Sequence, residues 1–153
     1  GLYVGGIGMN GNWGWKGKQF GLQKLVPNGN IPFEMLAMRA QPEGIEVEFT
    51  APLAAGQGEK ASDYFIEQWR YEATPRYGGP KLDQEELLIK TITVSPDRRR
   101  VQLEVPGMKE GFVIYLLLNE ELQSDKGASL WAGEAWYTLN QKPEEYKISQ
   151  FIK

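Results

Sequence analysis

The sequence contains no cysteine and no histidine. Without cysteine there are no disulfides, no thiolate nucleophile and no Cys-ligated metal. Without histidine the commonest general base, the commonest transition-metal ligand and the haem-ligating imidazole are all missing. Long apolar runs are missing as well. The longest is Phe112 to Leu118, far short of the ~18 residues a membrane helix needs. Basic residues are in the minority, with a net charge of −3 and a pI of about 5.1. Nucleic acid is therefore not an expected partner, because binding it takes a concentrated basic face. Gly5-Gly6-Ile7-Gly8 is followed by no helical pattern and no Gly-Lys-Ser/Thr, so it is not a phosphate loop. The four aspartates, Asp63, Asp83, Asp97 and Asp125, show no Asp-x-Asp calcium spacing. These absences lead to an expectation of no catalytic, cofactor-binding or metal-ligating residue, and no cofactor in this chain.

What remains is an ordinary globular composition. The chain has 153 residues, of which 41% are hydrophobic and 24% charged. Folding a chain of this size buries roughly 70% of its unfolded surface, which suffices for a core without metals or disulfides. The first residue is Gly1, and Leu2-Tyr3-Val4 already reads as strand. A piece of a longer protein is expected.

Composition changes near residue 31. Residues 1–31 hold 9 of the 18 glycines, a density that excludes helix and favours turns. Two short strands, Leu2–Ile7 and Gly21–Val26, are expected around a Gly/Trp loop. Beyond residue 32 the pattern becomes strand, turn, strand. Ile45, Val47 and Phe49 alternate with Glu46 and Glu48, and Val101, Leu103 and Val105 with Gln102 and Glu104. This period of two marks half-buried strands with charged outer faces. Phe65, Trp69 and Tyr71 share a face with Glu67, and Trp69 is expected in the core. Phe112–Leu118 is apolar on both faces and is expected at the centre of a sheet. The one helix candidate is Leu82–Leu88. Seven strands fit between residues 33 and 139, at the spacing of an all-β sandwich. The expected organisation is a Gly/Trp-rich β segment (1–31), an Ig-like or fibronectin-like antiparallel sandwich (32–140) and a tail (141–153).

Four phrases are more specific: Leu2-Tyr3-Val4-Gly5-Gly6 with Asn12-Trp13-Gly14-Trp15; Phe20 to Leu25 with Pro32-Phe33-Glu34-Met35; Gly44 to Leu53; and Trp136-Tyr137-Thr138-Leu139-Asn140. Together they resemble the C-terminal region of secreted bacterial proteins related to the PQQ-dependent glucose/sorbosone dehydrogenases. Such proteins join a β-propeller to cytochrome c-like or sugar-binding modules. The resemblance implies a propeller end followed by an Ig-like sandwich, and a periplasmic or secreted parent protein. It carries over no catalytic residue. The histidine base of the soluble quinoproteins has no counterpart here, nor does the Cys-x-x-Cys-His haem motif.

The resulting expectation is a non-catalytic accessory module whose partners are the neighbouring domains of its parent. The alternative is a carbohydrate-binding module using exposed Trp and Tyr. Trp13, Trp15, Trp131 and Trp136 are the candidate contact residues, because indoles form flat platforms for sugar rings or apolar partners. Each of these tryptophans also has a plain structural reading. Trp131 and Trp136, five apart, would face opposite sides of one strand, one in the core and one outside. Arg98-Arg99-Arg100 reads either as a partner patch or as a solvated hairpin turn.

Overall fold

The computed structural model describes residues 1–7, 20–75 and 77–144. Trp13, Trp15 and the apolar residues of the tail (Tyr146, Ile148, Phe151, Ile152) lie outside this set. Two compact units are present, Gly1–Ile31 and Pro32–Lys153. The first contains an antiparallel hairpin of β1 (Leu2–Ile7) and β2 (Phe20–Leu25), in a register that sets Leu2 opposite Leu25 and Val4 opposite Gln23.

The second unit holds eight strands, one more than the sequence pattern suggests. These are β3 (Met35–Gln41), β4 (Gly44–Phe49), β5 (Tyr64–Arg70), β6 (Leu82–Glu86), β7 (Thr91–Val94), β8 (Arg100–Glu104), β9 (Phe112–Leu118) and β10 (Glu134–Leu139). They form two four-stranded antiparallel sheets, ordered β3-β4-β8-β7 and β10-β9-β5-β6. Successive hairpins alternate between the sheets. Each sheet is then closed by a pair of inner strands, β4 with β8 and β5 with β9.

The alternating residues of both sheets meet in one core. Ile45, Val47 and Phe49 of β4, Val101 and Leu103 of β8, and Val105 just beyond it face Ile66 of β5 and Ile114 and Leu116 of β9. Phe33 stacks on Phe49 with ring centroids 5.6 Å apart. Full burial of one such aromatic side chain stabilises the fold by about 1.5–3 kcal/mol. Phe112–Leu118 is an inner strand, flanked by β10 and β5, as its two apolar faces require. Between β3 and β4, Gly44 passes so close to β8 that a Cβ there would sit 1.9 Å from the Leu103 carbonyl oxygen. Only glycine allows the two strands to approach in this way.

Three expectations are corrected. Leu82–Glu86, the helix candidate, is strand. Its sequence has little β-propensity, so pairing with β5 decides: Glu86 lies opposite Glu67 and Glu85 opposite Gln68. A register shift between Gln68 and Arg70 coincides with Asp83 at φ 52°, a conformation that aspartate tolerates better than most residues. Trp69 is buried, but not in the sandwich core. The inward face of β5 is Tyr64, Ile66 and Gln68, and Trp69 lies on the opposite, outer face. Finally, Trp131 and Trp136 are both exposed, at 77% and 59%. Trp131 precedes β10, so strand alternation does not govern it.

Candidate functional site

The outer face of the β10-β9-β5-β6 sheet follows from its register. Ile66, Leu116 and Ala135 lie side by side, with Ile66 and Leu116 in the core. Their neighbours Glu67, Tyr115 and Trp136 therefore form a row on the opposite face. A second row sets Phe65 beside Leu117 and Glu134, and a third sets Trp69 beside Val113 and Thr138. The rings are in mutual contact. Centroids are 5.2 Å apart for Tyr115 and Trp136, 6.3 Å for Tyr115 and Trp69, 6.4 Å for Tyr115 and Phe65, and 6.3 Å for Trp69 and Tyr71. Tyr115 is the hub of this network.

Polar groups frame the rings. The Tyr115 hydroxyl donates to Glu134 Oε1 at 2.6 Å. This bond to the carboxylate, with partial burial and the Glu134 charge, pushes the Tyr115 phenol up to about 12. Lys81 Nζ donates to Glu67 Oε1 at 3.0 Å, and Gln84 Nε2 to Glu67 Oε2 at 2.6 Å. Burial pushes the Glu67 carboxyl up, but the bonds from Gln84 and Lys81 and the Lys81 charge together outweigh it and leave it below its ordinary value. Lys81 also covers Trp69, so that indole is only 2% exposed although it faces outward. Trp69 Nε1 is the one buried side-chain polar atom among the described residues with no hydrogen-bond partner. Trp136 at 59% and Leu117 at 38% stay open to solvent.

The opposite sheet presents a different outer face. Arg39 bridges Glu46 at 3.2 Å and Glu48 at 2.6 Å, and Lys90 pairs with Glu104 at 2.5 Å. Those carboxylates serve as solvated, paired charges. An open groove of about 360 Å³ at the β3–β4 turn is lined by polar and apolar residues together, with Gln41, Glu43, Thr91 and Gln102 beside Ile45 and Leu103.

Of the candidate contact residues, Trp136 belongs to the aromatic face and Trp131 does not. Trp131 donates its backbone N–H to the Phe33 carbonyl at 2.8 Å and has no ring partner among the described residues. Trp13 and Trp15 lie outside the described residues. Two arginines of the triplet bond their own chain. Arg98 donates to the carbonyls of Leu53 (3.0 Å), Ala54 (2.8 Å) and Gln57 (2.7 Å) and pairs with Glu59 at 2.8 Å, while Arg99 bonds the Thr50 carbonyl. Tyr115, Phe65, Lys81, Glu67 and Glu134 escape a composition-based search. Their signal is a glutamate in the middle of an aromatic strand face: a core seldom accepts a carboxylate, because burying the charge is costly.

Among the described residues, no three acidic side chains cluster as a metal site, and no helix is long and apolar enough to cross a membrane. No family model and no curated protein matches the sequence. Three solved structures share the fold. The N-terminal part of the bacterial S-layer protein SbsC superposes with a TM-score of 0.54 at 13% identity, covering 72% of this chain and 24% of that one. Two longer SbsC structures, rSbsC(31–844) and domains 1–6, give TM-scores of 0.53 and 0.52 at 13% and 12% identity; each covers 72% of this chain and 14% of the other. This chain therefore spans at most about a quarter of the length of the proteins it resembles. At such identities the likeness is one of fold, an all-β antiparallel sandwich.

Proposed function

We propose that this chain is a non-catalytic interaction module of a larger extracytoplasmic protein, acting through the outer face of the β10-β9-β5-β6 sheet. The observation that carries this reading is the contrast between the two outer faces. One is covered with paired charges, while the other gathers Phe65, Tyr115 and Trp136 into a contiguous apolar surface with Trp136 exposed. Contiguous exposed apolar patches on a soluble domain mark interaction surfaces. The SbsC likeness supports a surface setting for the fold, and the resemblance of four sequence phrases to sugar-dehydrogenase-related proteins is the ground for a secreted or periplasmic parent.

In that parent the module packs against or orients its neighbours and performs no chemistry of its own. Two measurements on the parent test this. Deleting residues 32–144 should leave any turnover per active site unchanged while abolishing retention in its assembly or envelope fraction. The 153-residue chain, given PQQ and an artificial electron acceptor, should oxidise no sugar. Turnover above a heat-killed control that survives repurification would overturn the non-catalytic reading.

A further inference from the structure

The geometry points to a neutral glycan as the ligand of the aromatic face, with Trp136 and Tyr115 as the stacking platform. This inference rests on the reading of the chain as an interaction module, and names the partner. Four observations argue for it.

First, Trp136 is held and yet open. It lies directly across from Tyr115 in the ladder, with ring centroids 5.2 Å apart, and 59% of it is exposed. The negative π-face of an indole attracts the partially positive axial C–H groups on the flat side of an equatorially substituted pyranose. Second, hydrogen-bonding groups stand at the edge of the platform. Glu134, whose Oε1 accepts from the Tyr115 hydroxyl, is exposed and carries a second carboxylate oxygen. Carboxylate oxygens are strong acceptors for sugar hydroxyls. A few polar groups placed around an apolar surface are what fixes a ligand's orientation.

Third, charge selects against anions. Glu67, Glu134 and Glu86 share this face or its edge, and the cation over it, Lys81, is already paired with Glu67. A phosphate-rich or uronic-acid polymer would meet net negative charge. Fourth, size argues against a second protein. At 59% exposure Trp136 offers about 150 Å², and the patch as a whole is on the order of 300 Å². A stable interface between separate proteins needs about 800 Å² per partner, so a protein on this face would have to be a covalently tethered neighbouring domain.

The test uses the 153-residue chain titrated with cellohexaose, xylohexaose and chitohexaose, followed by NMR shifts of the indole and phenol signals. Polygalacturonate is the anionic control. The expected result is binding of at least one neutral oligosaccharide, with shifts at Trp136 and Tyr115. Trp136→Ala should weaken it at least tenfold with the melting temperature unchanged. Glu134→Gln, which keeps the acceptor but removes the charge, should weaken it less and should admit polygalacturonate. Absence of any neutral-glycan shift, or binding that persists in Trp136→Ala, overturns the inference. If no glycan binds but Trp136 is protected from solvent by a neighbouring domain in the full-length parent, the interaction-module reading stands with a protein partner. If Trp136 is free in the parent as well, both readings fall.

Discussion

The ammonium of Lys81 stands over the face of Trp69, with Nζ 3.5 Å from the ring centroid. Together with the Tyr71 and Tyr115 rings beside it, this contact accounts for the near-complete burial of a tryptophan on an outer sheet face. Lys81 is held in place by Glu67, its neighbour on the same face. Lys81→Met should cost about 1 kcal/mol, the scale of a partly desolvated cation–π contact, and should red-shift tryptophan emission as the indole meets water. Trp69→Ala should cost about 3–5 kcal/mol. Trp69→Phe keeps most of the ring and removes the unpaired Nε1–H, so it should stay within about 1 kcal/mol of the parent sequence, since an unmet buried donor itself costs about 1–3 kcal/mol. Thermal melts of the three variants check the order.

Arg98 pins the loop after β4 to the β7–β8 hairpin. Its guanidinium satisfies three carbonyls and a carboxylate from a residue whose own φ is 55°. Arg98→Ala should destabilise by about 2–4 kcal/mol through the orphaned carbonyls. Arg98→Lys should recover less than half of that, because a point charge cannot reproduce the fork. Arg98→Gly should be more stable than Arg98→Ala by about 0.5–1 kcal/mol, since glycine accepts positive φ without strain. Urea denaturation at matched conditions would separate the three.

Gln68 is fully buried and ties β5 to the turn before β9. Its Nε2 donates to the Gly107 carbonyl at 2.9 Å and to Glu85 Oε1 at 2.7 Å, and its Oε1 accepts from the Lys109 N–H at 3.0 Å. Gln68→Leu preserves volume but strands the Lys109 N–H and the Gly107 carbonyl. A loss of about 2–3 kcal/mol is expected, more than an apolar-for-polar swap gives when both partners are removed. Backbone amide exchange at Lys109 should accelerate in the same variant.

The Tyr115 phenol titrates near 12 because it donates to a carboxylate. An ordinary tyrosine titrates near 10. The neutral form is thus favoured in the folded state, and its contribution to stability is complete below about pH 10 and is lost as pH rises towards 12. Difference titration at 295 nm against Tyr115→Phe should show this late step. In Glu134→Gln the step should move back towards 10. A Tyr115 midpoint near 10 in the unaltered chain would contradict the hydrogen bond.

Most of the sandwich is legible in the sequence, and the errors have separate physical causes. The face-by-face alternation of β5 is correct: Phe65, Glu67 and Trp69 do lie together. What the sequence does not give is which face points inward. Phe65 and Trp69 look more apolar than Tyr64, Ile66 and Gln68, so hydrophobicity alone inverts the strand. The structure resolves this through Gln68, an amide that can be buried because every bond is met, whereas Glu67 remains charged at the surface. The outward position of Tyr115 on β9 is, by contrast, readable from period two alone. Ile114 takes the core position and Tyr115 the outer one, so this tyrosine bonds a side chain rather than the backbone. β6 is opaque for a different reason: Leu-Asp-Gln-Glu-Glu carries no strand signal, and only its partner strand imposes one. Of the aromatic face, the sequence yields Trp136 as the one candidate contact residue and the β5 set of Phe65, Glu67 and Trp69, but not their meeting with Tyr115, because that depends on which strands become neighbours.

The alternation of hairpins between sheets has a consequence for how the chain acquires its structure. β4 must find β8 more than fifty residues away, and β5 must find β9 more than forty away. The β3-β4-β8-β7 sheet cannot close before β8 has been made, nor the other before β9, and the core lies between the two sheets, so no half of the domain is a folding intermediate with a core of its own. Ordering a long stretch of chain before the reward of pairing arrives makes such topologies slow to fold, in milliseconds to seconds. A nascent chain ending near residue 95 should remain protease-sensitive throughout. Protection should appear in one step once the chain passes residue 118, which makes the module late to form and indivisible once formed.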